Sequence, residues 1–194
     1  MKLFSYVVDH ENGFAPNPYY GVCTLAHCKF RRKRKNVVEL ADVGDWVVGT
    51  GGKGKKSAGN GKLIYAMRVD EKVTLKQYWS DPRFRKKKRR KNGSYQQRQG
   101  DNLSKAKHRT SRVVLISRKY FYFGDKKEQI PPKFRFHSVH PLEKKGPGFR
   151  SDFCERFVKA VTGWLERNFS TGMHGKPHGY AFDKSETEQR KSCR

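Results

Sequence analysis

Apolar residues come in short alternating or clustered runs up to about Pro131, and only near the end does the spacing become helical. Lys2 to Val8 alternate and are rich in Phe, Tyr and Val, which predicts a first strand. The DHENGFAPNPYYG that follows is built from turn formers and predicts a long, proline-stiffened loop. From Val43 to Val69, a Gly44-Asp45-Trp46 turn, a short apolar strand, a Gly/Lys loop and the strand GKLIYAMRV predict a small β-meander. In TLKQYW, Thr74 with Gln77 three residues on has the capping-box pattern, giving a short helix that Pro82 stops. Ser111 to Ser117 predicts a compact β-branched strand, and Tyr120 to Phe123 an aromatic strand or turn ending at Gly124. Between Asp152 and about Phe169, the side chains of Phe153, Phe157, Val161, Trp164, Leu165 and Phe169 share one helical face, with Ser151 as the cap. That stripe predicts a helix packed on a sheet.

These elements predict an α+β fold: one domain over residues 1–170, with basic insertions near 29–35 and 83–109, followed by a C-terminal tail over 171–194. Beyond Ser170 there is no periodicity, and the chain shows no internal repeat.

Charge changes the picture more than composition does. The 44 Lys and Arg against 18 Asp and Glu leave a formal charge of +26. A surplus of that size repels itself unless a polyanion neutralises it, so nucleic acid is the expected partner. Lys29 to Lys35 (KFRRKRK) and Lys86 to Lys91 (KKKRRK) concentrate it into two blocks. No window of about 18 apolar residues occurs, and MKLFSYVVDH lacks a secretory pattern, so an intracellular, nucleic-acid-associated protein without membrane contact is expected. Cys23, Cys28, Cys154 and Cys193 show no Cys-x-x-Cys spacing and are expected to be free thiols.

Several chemical motifs fail on inspection. In GTGGKGKK, Gly49, Gly54 and Lys55 match the spacing of a nucleotide-binding P-loop, but Lys56 stands where Ser or Thr is required and SAGNGK cannot open a helix. A weaker role survives, in which glycine amides with Lys53, Lys55 and Lys56 hold a backbone phosphate; the plainer account is a hairpin tip. Cys23, His27 and Cys28, with His174 and His178, lack the ligand spacing of a structural zinc site, so no metal and no cofactor are expected. Nothing fixes a His beside Cys23 as a nucleophile would need. Carboxylates are scarce. Asp9, Asp45 and Asp101 each sit in polar loops where one can accept a hydrogen bond from a base, although Asp45 also suits a turn that caps amides and Asp101 an Asx-turn.

Read in order, GFAPNPYYGVCTLAHCK, VGDWVVGTGG, GKLIYAMRV, YWSDPRF, GDN and ISRKYFYFG resemble the second nucleotide-modification-associated domain family of bacteria and their phages, over roughly Met1 to Pro131. The cation-dense insertions around Arg31 and Arg89 depart from that pattern. The family is associated with genes for modified DNA bases, and the strand order also looks like the PUA and EVE group of small barrels, in which a pocket at the barrel mouth accepts a flipped base. The resemblance implies a pocket formed by Phe14, Asn17 and Tyr19 from the first loop, Trp46 and Thr50 from the strand after the GDW turn, and Asp101 and Asn102 from the GDN turn.

The expected function is therefore a DNA-binding module that recognises a modified, flipped base in phage or bacterial DNA modification or defence, with DNA preferred over RNA. Phosphate contacts are expected from Arg31, Arg32, Lys33, Arg34, Lys53, Lys55, Lys56, Lys87, Arg89 and Arg90, and stacking and amide contacts from the pocket. The alternatives are an enzyme acting on a modified base, with Asp101 or Asp9 as its carboxylate, and a protein that binds RNA or DNA by charge alone.

Overall fold

The computed structural model of the chain describes residues 1–8, 15–26, 36–54, 57–87, 112–137, 140–144, 146 and 148–177. Seven of its strands form a central sheet: β1 (Leu3–Val7), β3 (Trp46–Thr50), β4 (Lys62–Arg68), β7 (Tyr120–Tyr122), β8 (Glu128–Gln129), β9 (Phe149–Arg150) and β10 (Gly172–Met173). They run in the order β10-β7-β4-β3-β1-β9, with β8 also paired to β4. A second sheet holds β2 (Cys23–Leu25), β5 (Glu71–Thr74) and β6 (Val113–Ser117), in the order β2-β6-β5. The expected mixed α+β architecture is present, but both sheets are open, so the barrel named among the expectations does not close among the described residues.

The two sheets are joined by one bent antiparallel arm. Strand β5 pairs with β6 from Thr74 opposite Val113 to Glu71 opposite Ile116, and β4 pairs with β7 through Met67 opposite Tyr120. Register does not slip across the bend, so two successive strands leave one sheet and enter the other together, the usual way a strand pair turns a corner. Asp70 holds that corner: its Oδ2 accepts from the amides of Arg118 (2.6 Å) and Lys119 (3.3 Å).

Both faces of the central sheet are buried, which is why its strands read as nearly continuous apolar runs. On β3, Trp46 and Val48 face one core and Val47 the other; Leu3 and Phe4 divide in the same way on β1. Strand β4 breaks alternation, with Ile64 and Tyr65 both on the second face. The cause is a bulge: Gly49 opposes Tyr65 and Thr50 opposes Leu63, which leaves Ile64 as the extra residue. Gly49 has no substitute there, because a Cβ would run into the Tyr65 ring. The hydroxyls of Tyr65 and Tyr6 then meet at 2.7 Å inside the core.

The first face of the sheet is covered by α4 (Glu155–Asn168), whose Phe157, Val158, Val161 and Leu165 are buried. Of the predicted stripe, Phe153, Trp164 and Phe169 lie partly exposed at its margin. The predicted cap at Ser151 is incorrect: Cys154 occupies the N-cap without a side-chain hydrogen bond. Residues 149–150 pair with β1, and Ser151 to Phe153 are spent in turning from that strand into the helix. Helix α2 (Leu75–Ser80) has the full capping box at Thr74 and Gln77. The short α1 (Val37–Leu40) is capped by Asn36, whose Oδ1 accepts from Val38 N at 2.8 Å. A 3-10 turn, Pro82–Lys87, follows α2, and α3 (Pro132–Arg135) precedes β9.

The stretch beyond Ser170, expected to leave the fold as a tail, stays on it through residue 176. Strand β10 pairs in parallel with β7, and Lys176 exchanges hydrogen bonds with Asp125. Two pairs are too few to leave a periodic signature in sequence.

Candidate functional site

The described part of the first loop is a small hairpin. Asn17 and Thr24 form an isolated antiparallel bridge, with reciprocal N–H to O distances of 2.9 Å. Tyr20 and Gly21 at the tip have φ of 61° and 75°. Successive left-handed residues make a tight reversal matched to strand twist, one in which Asn, Asp and Gly are favoured and Tyr is not. Tyr20 is 41 % exposed, and Lys86 Nζ lies 5.4 Å from its ring centroid.

Beneath the hairpin sits Lys87. Only 1 % exposed, it donates from Nζ to Asn17 O (2.9 Å), Asn17 Oδ1 (3.1 Å) and Val22 O (2.6 Å). Three donors thus meet three acceptors on both arms of the hairpin, the satisfaction that a buried ammonium requires. Burial lowers its pKa from 10.5 to about 7. The neighbouring Cys23 is fully buried, and burial pushes its thiol up to about 12, so at neutral pH no thiolate compensates the ammonium. Among the described residues, the oxygens of Asn17 and Val22 do so. The Tyr120 hydroxyl adds a further tie to Pro18 O at 2.9 Å, while the Tyr78 hydroxyl bonds Thr24 and its ring stacks on Phe84 at 4.7 Å. Burial raises both phenols to about 12.

Asn17 and Tyr19, two of the expected pocket residues, are thereby held together: Tyr19 N donates to Asn17 Oδ1 at 3.1 Å. Asn17 Nδ2 is buried, and among the described residues it has no hydrogen-bond partner, an arrangement that costs about 1–3 kcal/mol. Trp46 and Thr50 are placed elsewhere. Trp46 is 1 % exposed and stacks on Phe121 at 6.3 Å with rings 5° apart, so its faces belong to the core under α4. Thr50 is buried and donates to Tyr6 O at 3.3 Å. Neither presents a surface to a base. Phe14, Asp9, Asp101 and Asn102 lie outside the described residues.

Among the cations, Lys87 is corrected from a phosphate contact to a buried clamp. Arg83 is also committed, bridging Glu71 and Asp81 at 2.8 Å each. Those carboxylates raise its pKa, and its guanidinium lowers that of Glu71. Arg85 and Lys86 are exposed on the same 3-10 turn. Lys53 is exposed; Arg31, Arg32, Lys33, Arg34, Lys55, Lys56, Arg89 and Arg90 lie outside the described residues.

The glycine loop is not arranged as a phosphate cradle where it is described. Gly51 N donates to Lys62 O, Gly52 N to Ser57 Oγ and Ser57 N to Gly54 O, so these amides are already used. A Cβ on Gly51 would strike the Gly59 carbonyl, which explains the glycine requirement by the close approach of the two arms. Asp45 is a turn residue, accepting from Lys2 N at 2.7 Å and Asp42 N at 3.1 Å. His174 stacks on Phe123 at 5.1 Å and contacts Ser170 O at 2.8 Å. His27, Cys28, His178 and Cys193 fall outside the described residues, and among the described ones no group of three metal-type ligands occurs. No described helix is long and apolar enough to cross a membrane.

Sequence reasoning leaves Tyr20 out of the pocket, and it misassigns Lys87. The signal for the first is Gly21, which places its neighbour at a hairpin tip. For the second none exists, since Lys86 and Lys87 are alike in sequence and differ only in the direction the turn points them.

Neither the curated proteins nor the solved structures contain a match to the chain. The family model for nucleotide modification associated domain 2 matches residues 1–110 and 104–185. With the match extending over most of its length, the chain belongs to the nucleotide modification associated domain 2 family.

Proposed function

We propose that this protein is a DNA-binding module that recognises a modified base, with affinity from lysine and arginine contacts to phosphate and discrimination from the first loop. The observation that carries this reading is the Lys87 clamp, which spends a buried ammonium on fixing the backbone of a surface hairpin. A loop that only connects strands has no use for that rigidity, whereas a recognition loop does, because ordering it beforehand removes the entropic cost at binding. Tyr19 offers a part-exposed aromatic ring on that hairpin, while Asn17, 1 % exposed, fixes the loop from within. The charge of +26 supports a polyanionic partner, and the family ties the chain to nucleotide modification. Trp46 and Thr50 have no part in this version.

The test is competition between unmodified DNA and DNA carrying hypermodified bases at about 200 mM salt, where sequence-independent phosphate binding is weak. Preferential retention of intact modified strands is expected. Equal retention of both would remove base recognition and leave charge alone, and release of free base would make the protein an enzyme instead of a reader.

A further inference from the structure

The 3-10 turn Pro82–Lys87 delivers two consecutive lysines to the hairpin from one side. Lys87 enters beneath it and holds Asn17 and Val22; Lys86 remains outside, over the Tyr20 ring at 5.4 Å. The hairpin is thus fixed at Asn17, Pro18, Val22 and Thr24, and the tip carrying Tyr20 projects from a rigid base. At this tip a tyrosine is a costly choice. Its φ of 61° is one that Asn or Gly adopts readily and that other L-residues adopt at an expense of about 1 kcal/mol or more. Packing compensates only in part: the ring leans on Tyr19 at 6.2 Å, and the residue stays 41 % exposed. An exposed aromatic ring, held in strained backbone with the Lys86 ammonium across it, has the composition of a nucleotide-stacking site.

We infer that Tyr20 is a stacking platform for an unpaired DNA base and that Lys86 meets the phosphate of the same nucleotide. This deepens the reading proposed above and rests on it. Stacking accepts any base, since every base has a π-face, so Tyr20 detects that a base has left the helix while the part-exposed Tyr19 bears on which base it is. The Lys86 ammonium, held beside the ring, supplies a charge where the extruded nucleotide's phosphate must pass.

The experiment measures binding of the full chain by fluorescence anisotropy to two probes, a duplex with one unpaired thymine and the same duplex fully paired, over a series of salt concentrations. Wild type is expected to prefer the unpaired probe. Tyr20→Asn keeps the turn, since Asn tolerates the left-handed region, and is expected to lose about tenfold on the unpaired probe, within the range of one stacked base, with an unchanged salt slope and an undiminished melting temperature. Tyr20→Phe retains the ring and binds as wild type. Lys86→Gln weakens both probes and reduces the slope of log K on log salt by about 0.9, the value for one neutralised phosphate. If Tyr20→Asn still preferred the unpaired probe, the platform would be refuted while DNA binding stood. A fall in its melting temperature with loss of both probes would make Tyr20 a structural residue. If wild type bound neither probe at low salt, the DNA-binding reading itself would fall, and this inference with it.

Discussion

At Lys87 a single amino group settles the shape of a surface loop, and the chemistry of that group makes the arrangement sensitive to pH. The unfolded chain keeps its proton to about pH 10.5, while burial in the folded chain brings the value to about 7. Between those limits unfolding takes up a proton, so this residue's contribution to stability rises with pH across the window, and below it the full cost of burying the charge is carried. Lys87→Met removes the titration and leaves the Val22 carbonyl without the donor that reaches it at 2.6 Å. We therefore expect Lys87→Met to be less stable than wild type by about 1–3 kcal/mol at alkaline pH, with the gap closing and then reversing as pH falls through the window towards 7. Urea unfolding of both proteins at several pH values checks this; parallel pH profiles would show that Lys87 does not titrate in the window. Nothing in sequence distinguishes this lysine from its neighbours in KKKRRK, because inward or outward direction is decided by the 3-10 turn and by a hairpin distant in the chain. Trp46 teaches the converse. In a polar turn motif it reads as a ligand-facing aromatic, yet strand alternation on a sheet buried on both sides assigns it to the core.

Elements with strong local signals are legible in the sequence, and those made by distant pairing are not. The capping box at Thr74, the turn at Gly44 and the strands at Leu3–Val7 and Lys62–Arg68 each follow from residues within a few positions. By contrast β8, β9 and β10 are two-residue strands that exist because a sheet edge passes nearby, and the corner at Asp70 depends on amides at Arg118 and Lys119. The closing helix lies between these cases: its stripe is readable, but its start moves because β9 claims the residues before it. Since α4 covers one whole core, its buried positions should dominate stability. Leu165 is fully buried, so Leu165→Ala is expected to cost about 2–5 kcal/mol, whereas Lys159→Ala on the solvent side should leave the melting temperature nearly unchanged. Thermal melts of the two variants decide it, and comparable losses in both would mean that the helix is held by its exposed face.

For the whole molecule, the dominant quantity is the positive surplus of +26, and its distribution implies a division of labour. Among the described cations, several are engaged internally: Lys87 with carbonyls, Arg83 with Glu71 and Asp81, Arg135 with Glu143 at 2.9 Å. Such residues hold the fold and have little charge left to offer a ligand. The KFRRKRK block contains only cations and one phenylalanine, a composition suited to sequence-independent phosphate contacts under the reading proposed above. If affinity and discrimination are separable in this way, replacing Arg31, Arg32, Lys33 and Arg34 together by Gln should weaken binding to duplex DNA of every sequence alike. The slope of log K on log salt should fall by about 0.9 for each phosphate that the variant no longer neutralises. The ratio of affinities for modified and unmodified strands should stay as in wild type, because that ratio belongs to the hairpin. Titrations across a salt series with both strands measure slope and ratio together. A changed ratio with an unchanged slope would reverse the assignment, making the basic block the discriminating element.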